Sequence, residues 1–502
     1  MSDPTTVSTE LETNPRPDTS QTPTTCGSWI GPLIIAVAAA AMLWRSWGTW
    51  PDPIIDFGRE LYLAWRLSAG DVLYRDVAHL NGPLSPYLNA LWFTLFGANL
   101  RTLVIANLFI WLLLLCLMYR IVSRIADRFS ATIACLGAIG VFSFARFASG
   151  YGNYNFVCPY SHGLTHGVVL SILAIWLLHC FSRNHRLGFS LGAGLAFGLV
   201  ALTKAEVFLA CSLAILPGVA FSAWHCRDRH HSRLLLGTFL IGSLLPPVAA
   251  CALLSLAMPV HRALWNVLGS WRYAFNPEVA ELPLYRVASG LNDVPSRLMD
   301  ILRVTGFYAV LLIPVALAAI RLKRFPAIAV RPWSAVITIA VACAFYPLLL
   351  RTPWQHAAKS WPLFLLVMVT MSLLHLVRCR QGSDKSAHLT LRTMMFVFAL
   401  GLLLKMILNT HVYHYGFALA LPAMMLLVAA LLCWIPNWLT RAGGCGALFR
   451  AVALGMVIAI GTIHVRFIDR RLAEVTDPVA SGANQFLTAR HAQEVNWAVA
   501  EA

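Results

Sequence analysis

The chain has 502 residues, of which 58% are hydrophobic and 12% are charged, and its mean hydropathy is +0.68. This composition excludes a soluble globular protein and indicates a polytopic helical membrane protein. The net charge of +16 does not indicate a nucleic-acid partner, because many arginines lie between apolar spans, where cytoplasmic basic residues are expected.

Hydropathy predicts an all-α bundle of about thirteen membrane spans within residues 29–467. Residues 1–28 are rich in Thr, Pro and Ser without a basic start, so we expect a disordered cytoplasmic tail rather than a signal peptide. The spans are predicted near residues 29–47, 100–119, 131–147, 161–181, 187–202, 205–223, 234–256, 304–320, 333–350, 361–377, 393–408, 415–433 and 449–467.

Loop basicity predicts the orientation of these spans. One alternating set of loops holds clusters that include Arg120, Arg183, Arg229, Arg321 and Arg378, and the positive-inside rule places this set in the cytoplasm. The amino terminus is then cytoplasmic, and residues 468–502 form a short periplasmic tail. A bacterial chain of this kind would lie in the cytoplasmic (inner) membrane, in contact with membrane lipids.

The loop after the first span carries an unusual density of polar residues and turns. It contains Asp56-Phe57-Gly58-Arg59-Glu60, then Gly70-Asp71 and Tyr74, the turn Asn81-Gly82-Pro83, and the segment Leu95-Phe96-Gly97. This order resembles the first outer loop of GT-C glycosyltransferases, such as the protein O-mannosyltransferase and aminoarabinose transferase families. Two features depart from the family pattern: Glu60 has a slightly different spacing from Asp56, and Asn81-Gly82-Pro83 replaces a Pro-Pro turn.

The resemblance implies a GT-C-like bundle with short interfacial helices in this loop. It also implies a polyprenyl-phosphate-sugar donor, an acceptor that the sequence does not identify, and an active site on the periplasmic side. Two other classes stay open from the residues alone. A transporter or flippase would place ionisable groups near the middle of the membrane, and a lipid-modifying acyl- or phosphotransferase would share the basic outer face.

Asp56 and Glu60 are the candidate catalytic residues. Asp56 follows the first apolar span directly, where a carboxylate can take the acceptor's proton, although a helix-capping Asp would look the same. The two acids are spaced i, i+4 and share a helix face. That spacing permits a divalent metal, but two carboxylates are too few to predict one, and the sequence requires no cofactor.

Positively charged residues are normally sparse on the outer face of a membrane protein, yet several recur on the predicted outer face here. A donor phosphate would explain them. The candidates for phosphate binding are Arg59, Arg75, Lys204, Arg272, Arg351 and Lys405. Arg59 is a candidate because the family associates an arginine at this spacing with the donor site. The turn Thr203-Lys204-Ala205-Glu206 resembles a lysine-containing turn of many GT-C proteins. The alternative is that each residue snorkels or pairs locally, as Arg75 can with Asp76 and Lys204 with Glu206.

Histidines, aromatics and amides on the same face are candidates for binding sugar hydroxyls. They are His79, Asn81, Tyr151, Asn153, Tyr154, His162, His356, His411 and His414. Interfacial tyrosines are also ordinary membrane chemistry, and His162 can instead form a satisfied i, i+4 pair with His166. The long outer segment 259–303 has the composition of an interfacial segment or a lid.

Overall fold

The computed structural model describes residues 29–49, 57–144, 155–226, 228–273, 276, 278, 281–322, 330, 332–378 and 384–489. Within these ranges nine helices are long and apolar enough to cross a membrane, and four shorter helices are also apolar. The prediction of an all-α polytopic membrane protein is confirmed, whereas the predicted count of about thirteen spans is not.

The helices follow one another through most of the described chain. They are α1 (Ile30–Ser46), α2 (Phe57–Ser68), α3 (Leu84–Phe96), α4 (Leu100–Ile125), α5 (Arg128–Ala138), α6 (His162–Asn184), α7 (Leu187–Ala201), α8 (Ala205–His225), α9 (Arg229–Ser255), α10 (Val260–Val267), α11 (Pro283–Ser289), α12 (Val294–Arg321), α13 (Ser334–Leu350), α14 (Trp361–Arg378), α15 (Asp384–Leu403), α16 (Leu421–Ala429), α17 (Ile435–Arg441) and α18 (Gly446–Ala473). Short 3₁₀ segments include Gly269–Tyr273, Trp354–Ser360 and Leu404–Met406. A π-helical turn, Ile139–Ser143, continues α5, and another, Ala430–Trp434, joins α16 to α17.

Polar residues determine where several apolar helices begin. The side chain of Asn99 accepts a hydrogen bond from the backbone N–H of Thr102 at the start of α4. Asp127 does the same for α5, and Asp293 for α12. Each cap satisfies a backbone N–H that has no partner within the first helical turn.

Small residues allow α7 and α9 to approach each other closely. A Cβ atom on Gly194 would collide with the backbone of Phe239, and one on Gly198 would collide with the backbone of Ser243. The two glycines are four residues apart on one face of α7, which is the spacing that membrane helices use for close contact. This contact fixes α7, and therefore the turn 202–204 that follows it.

The loops gather at the two ends of the bundle. At one end Arg450 Nη2 donates to Asp127 Oδ2 at 2.9 Å. At the other end the backbone N–H of Gly82 donates to the carbonyl of Thr203 at 2.8 Å, so the turn after α2 lies against the turn between α7 and α8. We call this second end the site end, because it contains Glu60, Lys204 and Lys405.

The segment between α9 and α12 extends across the site end. Its residue Gly269 lies against the backbone of Asn81 and Gly82. Further along, the carbonyl of Val287 accepts a hydrogen bond from Asn409 Nδ2 at 2.9 Å. The segment therefore contacts the first loop on one side and the chain after α15 on the other.

A two-stranded antiparallel hairpin, β1 (Val475–Val479) and β2 (Phe486–Ala489), follows α18. The backbone N–H of Leu487 donates to the carbonyl of Gly48 at 2.7 Å. The side chain of Asn484 accepts a hydrogen bond from the backbone N–H of Leu100 at 2.9 Å. The hairpin therefore joins the ends of α1 and α18 to the start of α4, also at the site end.

Candidate functional site

Glu60 on α2 is a buried carboxylate with every oxygen occupied. Its side chain is 4% exposed; Oε2 accepts a hydrogen bond from His162 Nδ1 at 3.0 Å, and Oε1 accepts one from Arg59 Nη2 at 3.2 Å. Burial raises the pKa of Glu60, but the hydrogen bond from His162 and the charges of His162, Arg59 and His79 outweigh it and bring the pKa to about 2. Arg59 and His162 therefore occupy both oxygens of this carboxylate.

His162 at the start of α6 is held from both sides. Its Nδ1–H donates to Glu60, and its Nε2 lies 2.9 Å from Nδ2 of Asn107 on α4, which also donates to the carbonyl of Val157. The Nδ1 atom carries a proton in this contact, because the carboxylate oxygen that it faces can only accept a hydrogen bond. One turn later, His166 Nδ1 lies 2.9 Å from Ser85 Oγ on α3. The two histidines thus join α2, α3, α4 and α6.

Lys204, Glu206 and Lys405 form the second polar cluster. Glu206 Oε1 lies 3.0 Å from Lys405 Nζ and 3.3 Å from Lys204 Nζ. The side chain of Lys405 is 19% exposed and that of Lys204 is 12% exposed, so both ammonium groups are largely withdrawn from solvent. Two ammonium groups on one carboxylate leave one positive charge in excess.

Two tyrosines connect the clusters. The carbonyl of Tyr160 accepts a hydrogen bond from Arg59 Nη2 at 3.1 Å, and its ring lies 5.2 Å from Lys204 Nζ. The ring of Tyr415 lies 4.8 Å from Lys405 Nζ and meets the ring of Tyr160 edge-on at 6.1 Å. Each lysine therefore lies over an aromatic face, which stabilises a desolvated cation.

His79 and Asn81 lie beside these clusters. The pKa of His79 is lowered to about 4, and burial is the main cause. The charge of Glu60 raises this pKa, whereas the charges of Arg59 and Lys204 lower it. The carbonyl of Asn81 accepts a hydrogen bond from Tyr74 Oη at 2.6 Å. The turn that bears both residues is thereby fixed on the site side of the first loop.

His414, His411 and His356 follow on the far side of Tyr415. His414 stacks on Tyr415 at 4.8 Å, and its Nε2–H donates to the carbonyl of Ala288 at 2.9 Å. The ring of His411 lies 5.8 Å from that of His414 and 6.1 Å from that of His356. The structure therefore brings these three candidates together, next to the lysine cluster.

The remaining basic candidates do not join the lysine cluster. Arg75 is exposed and forms a bidentate pair with Asp76 at 2.9 and 2.8 Å, which is the local alternative for this residue. Arg272 donates to the carbonyl of Gly269 and to Asn266 Oδ1, at 3.0 and 3.2 Å. Arg351 is exposed at the end of α13.

Four candidates, Asp56, Tyr151, Asn153 and Tyr154, lie outside the described residues. Asp56 directly precedes Phe57, whose buried ring lies 5.6 Å from that of His162. Across the part of the chain that the structure describes, no group of three or more His, Cys, Asp or Glu side chains has the arrangement of a metal site.

Sequence reasoning missed the contacts that join distant segments. Asn107, Ser85, Tyr160 and Tyr415 were not singled out as candidates, although each contacts a predicted residue. Tyr160 and Tyr415 stand at the starts of predicted apolar spans on the outer face, and that shared position was the available signal. Asn107 is a lone amide within an apolar helix, where an unsatisfied polar group is costly.

No family model and no curated protein matches this sequence. Among solved structures, the chain is similar to an oligosaccharyltransferase of Archaeoglobus fulgidus in its apo form, with 13% identity and a TM-score of 0.47 over 93% of this chain and 57% of that one. The complex of that enzyme with zinc and sulfate gives 12% identity and a TM-score of 0.48, over 92% of this chain and 54% of that chain. The chain thus spans just over half the length of these structures. Because the TM-scores lie below 0.5, this likeness carries no weight in assigning a function.

Proposed function

We propose that the chain is a GT-C-type glycosyltransferase that moves a sugar from a polyprenyl-phosphate donor to a lipid, glycan or protein acceptor. The observation that carries this proposal is the convergence of Lys204 and Lys405 on Glu206. The excess positive charge lies at the end of an apolar bundle, where a donor phosphate can reach it while the polyprenyl chain stays in lipid.

Each part of the site has a role in this reaction. Lys204 and Lys405 bind the donor phosphate, and Glu60 with His162 holds Arg59 beside it. The acceptor oxygen or nitrogen attacks the anomeric carbon, the bond from that carbon to the phosphate oxygen breaks, and polyprenyl phosphate leaves with the bonding electrons. Asp56 takes the acceptor's proton as the new bond forms, and attack opposite the phosphate inverts the anomeric carbon.

Two features support this proposal over a transporter or flippase. Glu60, Glu206 and Lys405 lie at or near helix ends and at one end of the bundle. A transporter would use ionisable groups near the middle of the membrane. The first loop also resembles that of GT-C enzymes, as described above.

We also propose that the site end faces the outer side of the cytoplasmic membrane. Single cysteines at Arg59 and Arg75, whose side chains are about half exposed, test this orientation in a background without other cysteines. Both should react with a membrane-impermeant maleimide added from outside intact cells. Reaction only after the inner face is opened would reverse the orientation.

The proposed activity is tested by incubating the purified protein with a panel of radiolabelled polyprenyl-phosphate sugars and membrane-extracted acceptors. We expect transfer from at least one donor, and loss of that transfer in Lys204→Met. Arg75→Gln is the matched control, because Arg75 is an exposed cation in the first loop that binds only Asp76 among the described residues. Absence of transfer from every donor, or equal loss in both variants, would contradict the proposal.

A further inference from the structure

A second cationic cluster lies on the other side of the His414–Tyr415 pair. It involves α12, the 3₁₀ segment Trp354–Ser360 and the chain after α15. Lys359 Nζ is bound to Asp300 Oδ2 at 2.5 Å, and its side chain is only 2% exposed. Arg303 Nη1 lies 3.8 Å from the other oxygen of Asp300. Lys359 therefore binds one oxygen of this carboxylate, and Arg303 lies near the other.

Arg297 adds a third cation without a carboxylate of its own. It precedes Asp300 by three residues on α12, so the two side chains share a face of the helix. Its Nε–H is buried, and no described residue accepts a hydrogen bond from it. A buried charged donor without an acceptor is costly, so an unfilled acceptor position at this atom indicates a ligand.

His411 presents a second unfilled position. Its Nδ1 is buried and has no hydrogen-bond partner among the described residues. Its ring lies 6.1 Å from that of His356, which shares a face of the 3₁₀ segment with Lys359 three residues later. Burial, followed by His414 and His356 and then by the charges of Lys359 and Arg297, lowers the pKa of His411 to about 3. The Asp300–Lys359 ion pair and the neighbouring rings of His356 and His411 therefore place Arg297 and His411 in one cluster.

The charges of the cluster select the class of ligand. Arg297, Lys359 and Arg303 contribute three positive charges, against the single carboxylate of Asp300 with which two of them pair. A cation would be repelled, and a neutral ligand would leave Arg297 without a counter-charge. A phosphate group offers several acceptor oxygens, enough for Arg297 Nε and His411 at once.

We infer that Arg297 and His411, with His356, form a second phosphate-binding site, separate from Lys204 and Lys405 and divided from them by the fixed His414–Tyr415 pair. In the proposed reaction, on which this assignment of the occupant rests, the group it binds is a phosphate carried by the acceptor. Donor and acceptor phosphates then lie on opposite faces of one rigid aromatic wall. That arrangement keeps the two anions apart.

The test counts bound phosphates on the full-length protein. Purified protein in neutral detergent is titrated with inorganic phosphate by calorimetry, and with phosphatidic acid by native mass spectrometry against phosphatidylcholine. We expect two phosphate-type ligands per wild-type chain for at least one of the two probes. Binding of phosphatidic acid alone identifies a lipid headgroup as the source, and binding of inorganic phosphate alone identifies a small phosphate.

Three variants separate the sites. Arg297→Gln should weaken one of the two binding events by about tenfold to a hundredfold, the loss expected for a charge-assisted hydrogen bond. Arg321→Gln is the matched control on the same helix, since Arg321 is exposed at the opposite end of α12 and its substitution should leave both events unchanged. Lys204→Met should weaken the other event. If Arg297→Gln does not fold, Arg297→Lys, which keeps the charge and loses the fork of donors, should give a smaller loss at the same site.

Several outcomes would overturn the inference. They are wild-type binding of neither probe or of only one equivalent, unchanged binding in the Arg297 variants, and equal losses in Arg297→Gln and Arg321→Gln. The proposed function can fail independently of it. If Lys204→Met binds phosphate and transfers sugar as the wild type does, while Arg297→Gln loses one bound phosphate, the assignment of Lys204 to the donor is wrong and the second phosphate site stands.

Discussion

Lys405 Nζ lies 3.0 Å from Glu206 Oε1, although 199 residues separate the two in the chain. Lys204 Nζ binds the same oxygen at 3.3 Å. The contact joins the end of α15 to the start of α8, so one carboxylate orders two cations that arrive on different helices. The proposed donor site depends on this arrangement.

Replacing Lys405 separates its structural role from its role in binding. Lys405→Met should lower the unfolding temperature, because Glu206 loses one of two cations in a poorly solvated place. It should also weaken binding of a polyprenyl-phosphate donor by about tenfold to a hundredfold. Adding Glu206→Gln should restore the unfolding temperature, because no unpaired carboxylate remains, but it should not restore donor binding. Recovery of both properties in the double variant would show that Lys405 only neutralises Glu206.

Glu60 should behave as a positioning residue. Glu60→Gln keeps the shape but removes the charge that binds Arg59 and His162, at a cost of about 1.5–3 kcal/mol in unfolding free energy. The pH dependence of transfer should keep the same acidic limb, because a carboxyl with a pKa of about 2 does not titrate in the working range. Thermal unfolding and a pH–rate profile measure the two effects. Loss of the acidic limb in Glu60→Gln would instead identify Glu60 as the proton acceptor.

His414 should make the protein sensitive to mild acid. Burial lowers the pKa of His414 to about 4 from an ordinary 6.5, so the unfolded chain binds a proton that the folded chain refuses between these values. Its stabilising contribution is therefore present above pH 6.5 and falls by about 1.4 kcal/mol per pH unit towards pH 4. His414→Gln, which can still bond the carbonyl of Ala288, should flatten the unfolding temperature over this range. His230→Gln, at an exposed position, should not; equal pH slopes for wild type and His414→Gln would refute the assignment.

Local contacts of the site were predictable from the sequence, and distant ones were not. The pairs Arg75–Asp76 and Lys204–Glu206 are neighbours in the chain, so short spacing alone suggests them. The bond between His162 and Glu60 joins residues 102 apart. Hydropathy placed both on the outer face, but it has no information on which helices become neighbours, and that choice depends on side-chain and glycine packing such as that between α7 and α9.

The same limit explains what the sequence predicted about the fold. Long apolar runs predict membrane helices because an unpaired backbone is costly in lipid, and the helices α4, α6 and α8 begin at or within one residue of the predicted spans. The α12 helix begins at Val294, ten residues before the predicted span, because its first turns carry Arg297, Asp300 and Arg303. Hydropathy scores these as loop residues, whereas the structure uses them on one helix face to form the second cationic cluster.

The most direct test of the central claim is the transfer rate and donor affinity of Asp56→Asn, measured in parallel with Lys204→Met. The first substitution keeps the shape and removes the proposed base, so transfer should fall by about 10²–10⁴-fold while donor affinity stays near that of the wild type. The second should weaken donor binding, because a lost phosphate contact acts on the bound donor as well as on the transition state. Transfer at the wild-type rate in Asp56→Asn, or unchanged donor affinity in Lys204→Met, would contradict the proposed mechanism.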